Sequence, residues 1–129
     1  TFNSGFIPAD HWVHDKKIGG GRIIGEACHH IDLMRFLCGE KITEIDSSFL
    51  KNGQLDTAII TLKFEDGSIG CINYFSNGNK SHAKEDIKIF CEEKILHLDN
   101  FKALYGYGWN NFKKLKLFSQ DKLKSKQPN

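Results

Sequence analysis

The stretch RIIGEACHHIDLMRFLCGEKITEIDSSFL, residues 22–50, changes its hydrophobic period halfway along. Arg22–Cys38 carries no Gly or Pro after Gly25 and stops at Gly39, a residue that commonly ends helices. On a helical wheel Ile23, Ile24, Ala27, Cys28, Ile31, Met34 and Cys38 share one side. Arg22, Glu26 and His29 lie on the other, joined further along by Leu33, Phe36 and Leu37. The spacing predicts a helix over 22–38 whose second half, apolar nearly all round, is buried. After Gly39 the period becomes two, and residues 42–50 read as a strand.

The same period continues through residues 55–64 and 68–75, with turns at Asn52-Gly53 and Glu65-Asp66-Gly67. Turns this short join antiparallel neighbours, because a parallel crossover needs a dozen or more residues. Residues 86–91, 94–98 and 115–118 read as further strands. Upstream, 2–7 is a short apolar piece, and a polar, His-rich loop runs from Pro8 to Gly19-Gly20-Gly21. The expected fold is α+β: a largely antiparallel open β-sheet with the 22–38 helix packed on one face. Ile60, Leu62 and Phe64 alternate with Ile59, Thr61 and Lys63, and neither face of 68–75 is wholly polar. A half-apolar sheet face with no second helix to cover it predicts a homodimer or higher homo-oligomer through the sheet.

Composition narrows the class. The 129 residues, 40% hydrophobic and 26% charged, describe one ordinary globular domain rather than a disordered or collagen-like chain. No run reaches the ~18 apolar residues of a membrane helix. With no initiating Met and no basic-then-apolar leader, the chain is expected to begin within a longer protein. Net charge is +2, but residues 112–129 hold six lysines against one acid, so 123–129 reads as a Lys-rich tail. Sixteen of the eighteen basic residues are Lys, whereas bidentate phosphate and guanine contacts favour Arg, so nucleic acid is not the expected partner. Cys28, Cys38, Cys71 and Cys91 form no CxxC pair; buried, reduced thiols and a cytoplasmic location are expected.

Three groups could carry chemistry. Gly19-Gly20-Gly21 precedes the helix, where free backbone N–H groups can hold phosphate. The run is neither GxGxxG nor GxxxxGK[ST], so close approach of backbone to a neighbour or ligand is the stronger reading. His11, His14, Cys28, His29 and His30 raise the question of zinc, but adjacent histidines on a helix point ~100° apart, and no metal site is expected. The third group is Arg22, Glu26 and His29, spaced i,i+4 and i,i+3 on one helix face. A carboxylate beside an imidazole suits a general acid/base near neutrality, and the same spacing equally suits a surface ion-pair ladder.

The run Gly19 to Gly39 resembles the characteristic helix of the glucose–fructose oxidoreductase/inositol dehydrogenase (Gfo/Idh/MocA) family, whose pattern reads GGGxxxDxGxHxxD. His29 and Asp32 fall on its His and last Asp; Gly25 and Ala27 replace its first Asp and following Gly. Asn3-Ser4-Gly5-Phe6-Ile7-Pro8 and Asp10-His11-Trp12 resemble a subgroup linked to polysaccharide biosynthesis. Leu98-Asp99-Asn100-Phe101 and Gln120-Asp121-Lys122 are similar to the family's later strands.

The resemblance implies that residues 1–122 are a C-terminal, substrate-binding and oligomerisation domain of an NAD(P)-dependent sugar or cyclitol oxidoreductase. His29 would be its catalytic acid/base, and Glu26 would stand in for the carboxylate missing at Gly25. Arg22, His11 and Trp12 would line the sugar pocket. NAD or NADP would be held by an N-terminal Rossmann domain that these residues lack, so this chain alone is expected neither to bind the cofactor nor to turn over. The alternative is a non-catalytic module that only dimerises or binds a partner through its sheet.

Overall fold

The computed structural model of the chain describes residues 1–51 and 56–117. It divides into two compact units, Thr1–Lys84 and Glu85–Asn129, and each carries a four-stranded sheet. The single sheet read from the sequence is therefore two, and the α+β class holds. The turn at Asn52-Gly53, Leu55, Phe118, the Gln120-Asp121-Lys122 segment and the Lys-rich tail lie outside the described residues.

In the first unit β1 (Phe2–Asn3), β2 (Ile42–Phe49), β3 (Ala58–Phe64) and β4 (Ile69–Phe75) lie in the order β1-β4-β3-β2. All neighbours are antiparallel except β1, which runs parallel to β4. Alternation along β3 buries Ala58, Ile60, Leu62 and Phe64 on one face, as the sequence predicts. The register sets Ile60 opposite Ile72 and Ala58 opposite Tyr74, so the buried faces of β3 and β4 coincide. Each such aliphatic side chain contributes about 1.5–3 kcal/mol by leaving water. Gly70, on that face, leaves room for the helix: a Cβ there would stand 2.7 Å from Met34 Sδ. The β3–β4 hairpin turns at Glu65-Asp66-Gly67, where Gly67 takes φ 86° and Asp66 Oδ1 accepts the Ser68 N–H at 2.9 Å.

The expected 22–38 helix is two pieces, a π-helical turn at Ile23–Ala27 and α1 at Cys28–Cys38. Gly39 ends α1 as read, with φ 77° and its N–H on the Arg35 carbonyl. Bonds of the i→i+5 kind widen the turn, so residues before Cys28 do not follow an α-helical wheel. Arg22, expected on the polar face, is 2% exposed, while Ile24, expected inside, is 70% exposed. The second half of α1 is not buried as expected: no residue of α1 is buried, and Phe36 is 81% exposed. Its inner side, through Met34, meets the sheet, and Phe36 is turned away from it.

In the second unit β5 (Asp86–Cys91), β6 (Lys94–Asp99), β7 (Ala103–Tyr107) and β8 (Lys114–Lys116) form an antiparallel meander. Glu92 and Glu93 turn β5 into β6, and Asn100 and Phe101 turn β6 into β7, all four at positive φ. Two consecutive positive-φ residues make the turn that matches strand twist. Asn100-Phe101 is thus a turn rather than strand. Lys88, His97, Tyr105 and Lys114 sit opposite one another across the four strands. Asp86 lies 3.1 Å from His97 Nε2 and 3.2 Å from Lys88 Nζ, and the Lys88 charge offsets its own within the sheet.

Among the described residues no helix is long and apolar enough to cross a membrane. No group of three or more His, Cys, Asp or Glu among them could hold a metal ion. All four cysteines are free, and the expectation that they are buried is wrong: Cys28, Cys71 and Cys91 are exposed. Cys28 turns outward because it follows the π turn, and Cys71 lies on the outer face of β4.

Candidate functional site

The five residues singled out from the sequence fall into two pairs and one lone side chain. Arg22 and Glu26 are joined, His11 and Trp12 are joined, and His29 stands exposed on α1 less than one turn beyond Glu26.

Arg22 is held by bonds to three partners. Nε donates to Glu26 Oε1 at 3.0 Å, Nη1 to the Gly5 carbonyl at 2.6 Å, and Nη2 to the Ser4 carbonyl at 3.1 Å and Glu26 Oε2 at 3.4 Å. Tyr74 donates its hydroxyl to Glu26 Oε2 at 2.6 Å, and the guanidinium lies 5.8 Å from the Tyr74 ring centre. A guanidinium taken out of water costs several kcal/mol unless its forked donors are met, and here four bonds engage all three of its nitrogens. Burial pushes Arg22 down, but the hydrogen bond to Glu26 and the fields of Tyr74, Glu26 and Asp56 more than offset it. Glu26 is raised by burial and lowered more by its bonds to Arg22 and Tyr74, so it ionises below the usual carboxylate range. Burial, and then the bond to Glu26, hold the Tyr74 phenol well above its ordinary value. Tyr74 carries no motif, and sequence reading missed it.

No hydrogen bond or ion pair joins Glu26 to His29. The adjacent His30 points the other way: its ring stacks on Phe2, centroids 3.2 Å apart at 14°, with Tyr74 at 6.3 Å. Burial, helped by Lys84, His29 and the terminal amine, lowers its pKa to about 4, while Glu26 opposes. The sign follows from linkage. Between the ordinary 6.5 and about 4 the unfolded chain binds a proton that the folded one refuses, so stability is lost as the pH is lowered through that window. The full effect is at most about 3 kcal/mol, less because the ring is partly in contact with solvent. Urea unfolding at pH 7 and pH 5 should show this loss, and His30→Phe, which keeps a ring on Phe2, should reduce it. An unchanged pH slope in His30→Phe would show that His30 is not its source.

His11 Nδ1 accepts the Val13 N–H at 3.3 Å and caps the short 3-10 helix Trp12–His14. Its ring lies 5.5 Å from that of Trp12, which is 61% exposed. An exposed indole beside an imidazole suits a sugar ring and its hydroxyls. The three glycines close this loop. The N–H groups of Gly19 and Gly20 bond the Asp15 carbonyl at 2.8 and 2.9 Å, and that of Gly21 bonds the Val13 carbonyl at 3.1 Å. A Cβ on Gly19 would stand 2.6 Å from Val13 O, so the close approach predicted from the sequence is to the chain's own backbone. With their amides spent, the glycines do not fit a dinucleotide phosphate. Isothermal titration of this chain with NADH should give no micromolar binding; a micromolar isotherm would contradict this assignment of the amides.

Toward the far end of α1, Asp32, Arg35, Phe36, Gly39, Glu40, Lys41 and Glu65 line an open groove of about 550 Å³. It includes neither His29 nor Glu26.

Comparison with known proteins places the chain in a family. Residues 1–97 match the GFO/IDH/MocA C-terminal domain. Myo-inositol 2-dehydrogenase of Thermotoga maritima is 32% identical over 94 residues, 67% of this chain and 28% of that protein. The uncharacterized oxidoreductase YrbE of Bacillus subtilis is 32% identical over 65 residues, 44% of this chain and 19% of that protein. The chain thus spans less than a third of the length of these relatives, and no solved structure matches it. Over three quarters of its length, including both residue pairs and His29, the chain belongs to the GFO/IDH/MocA C-terminal domain family.

Proposed function

We propose that this chain is the substrate-binding and oligomerisation domain of an NAD(P)-dependent oxidoreductase acting on a sugar or cyclitol. The observation that carries the reading is the exposed His29 on α1 of a domain of this family, beyond a turn tied down by the Arg22–Glu26 pair. His29 takes or gives the proton of the reacting hydroxyl or carbonyl. His11 and Trp12 hold the ring of the substrate. Arg22, buried and bonded through all three of its nitrogens, supports the pocket from behind rather than lining it. The name of the Thermotoga maritima relative supports a cyclitol or related polyol. The narrower likeness to polysaccharide-biosynthesis dehydrogenases rests on residues 3–12 and points to a sugar.

In this reading the cofactor belongs to a Rossmann domain outside these residues, and the intact enzyme works in the cytoplasm. Coding sequence upstream of Thr1 tests it. A βαβ unit with GxGxxG, followed by Glu-Lys-Pro, supports the enzyme, whereas a start codon close by supports a non-catalytic binding module. The outer face of the first sheet supplies the oligomer contact, because Ile59, Ile69 and Cys71 are exposed there beside Thr61 and Asn73. Light scattering should give a dimer or larger at high micromolar concentration, and a monomer would count against this face.

A further inference from the structure

The π-helical turn at Ile23–Ala27 is held from three sides by one hydrogen-bonded cluster whose Arg22 and Tyr74 are buried. Arg22 binds Glu26 within the turn, Tyr74 of β4 reaches Glu26 from the sheet, and the Arg22 fork also takes the carbonyls of Ser4 and Gly5, which follow β1. π turns are rare and cluster at functional sites, where they re-aim the helix that follows. His29 lies two residues past this turn. Among the described residues the exposed His29 has no hydrogen bond or ring contact of its own, so the path of the α1 backbone sets the region its ring can reach.

We propose that Arg22, Glu26 and Tyr74 form a positioning clamp that fixes the π turn and thereby sets where α1 presents His29. Through Ser4 and Gly5 the same guanidinium anchors the segment that leads to His11 and Trp12, so both halves of the candidate site share one anchor. The three residues are positioning residues, because their polar atoms are engaged with one another and with backbone. This deepens the reading of His29 as the acid/base and rests on it, but its test reads the placement of His29 without any turnover.

The experiment is NMR on the full chain, comparing wild type with Tyr74→Phe and Glu26→Gln. Tyr74→Phe removes one hydroxyl and keeps the buried ring. Amide hydrogen exchange over residues 25–29 should accelerate about tenfold or more, the scale of one lost hydrogen bond to a charged group. Exchange in β3 should change much less, and the His29 Cε1–Hε1 cross-peak should shift or broaden. Glu26→Gln should act in the same direction and further; if it does not fold, Tyr74→Phe decides alone. An unmoved His29 cross-peak with unchanged exchange at 25–29 in folded Tyr74→Phe overturns the clamp. Equal acceleration in β3 overturns it too, since the cluster would then be a general brace. A sound clamp with an inactive role for His29 would instead show in kinetics, as a normal rate in His29→Ala.

Discussion

Arg22→Ala should lose about 3–5 kcal/mol of stability, the usual cost of removing one partner from a buried charged pair. Three acceptors are stranded at once: the carbonyls of Ser4 and Gly5 and the Glu26 carboxylate. Tyr74 still donates to Glu26, and Glu26 is 32% exposed, so solvent recovers part of the loss and the lower half of that range is expected. For a chain of this size the midpoint of thermal unfolding should fall by roughly 10 °C. Arg22→Lys keeps the charge but replaces a planar fork with a single ammonium, and should fall between wild type and Arg22→Ala. Differential scanning calorimetry checks both. A change below about 1 kcal/mol in Arg22→Ala would be the size expected of an exposed ion pair, and would contradict the buried position of the guanidinium.

Much of the first unit was legible in the sequence, for a clear physical reason. Period-two alternation survives where one sheet face is buried, and it placed β3 and β4 to within a residue or two among the described residues; β2, placed as closely, has no buried residue. Gly39 and the Glu65-Asp66-Gly67 turn were legible because both need a left-handed glycine, at φ 77° and 86°. The turns at Glu92-Glu93 and Asn100-Phe101 use the same backbone region without glycine, so Asn100-Phe101 read as strand and β7 went unseen.

The π turn hid the rest. A wheel drawn at a constant 100° puts Ile24 inside and Arg22 outside, and the structure reverses both. Arg22 and Glu26 were recognisable as neighbours from i,i+4 spacing, which does not depend on which way the pair faces. That Glu26 is also bonded from the sheet depends on Tyr74, 48 residues further along, and no local pattern reveals such a partner. His29 and His30 were separable because adjacent helix residues point to different sides, and the stacking of His30 on Phe2 agrees.

His29 is proposed to move the proton in the reaction of an intact oxidoreductase. His29→Ala should lower kcat by ~10²–10⁴-fold, the range for losing a positioned acid or base. KM should change far less, because a proton-transfer group acts mainly in the transition state. His30→Phe is the control: its ring packs between Phe2 and Tyr74, and its loss as an imidazole should alter acid stability rather than the chemical step. The deciding measurement is single-turnover rate at saturating substrate for wild type, His29→Ala and His30→Phe. A rate at least about a hundredfold lower in His29→Ala, with His30→Phe close to wild type, is the result predicted. Equal and mild slowing of both variants would show that His29 is not the acid/base.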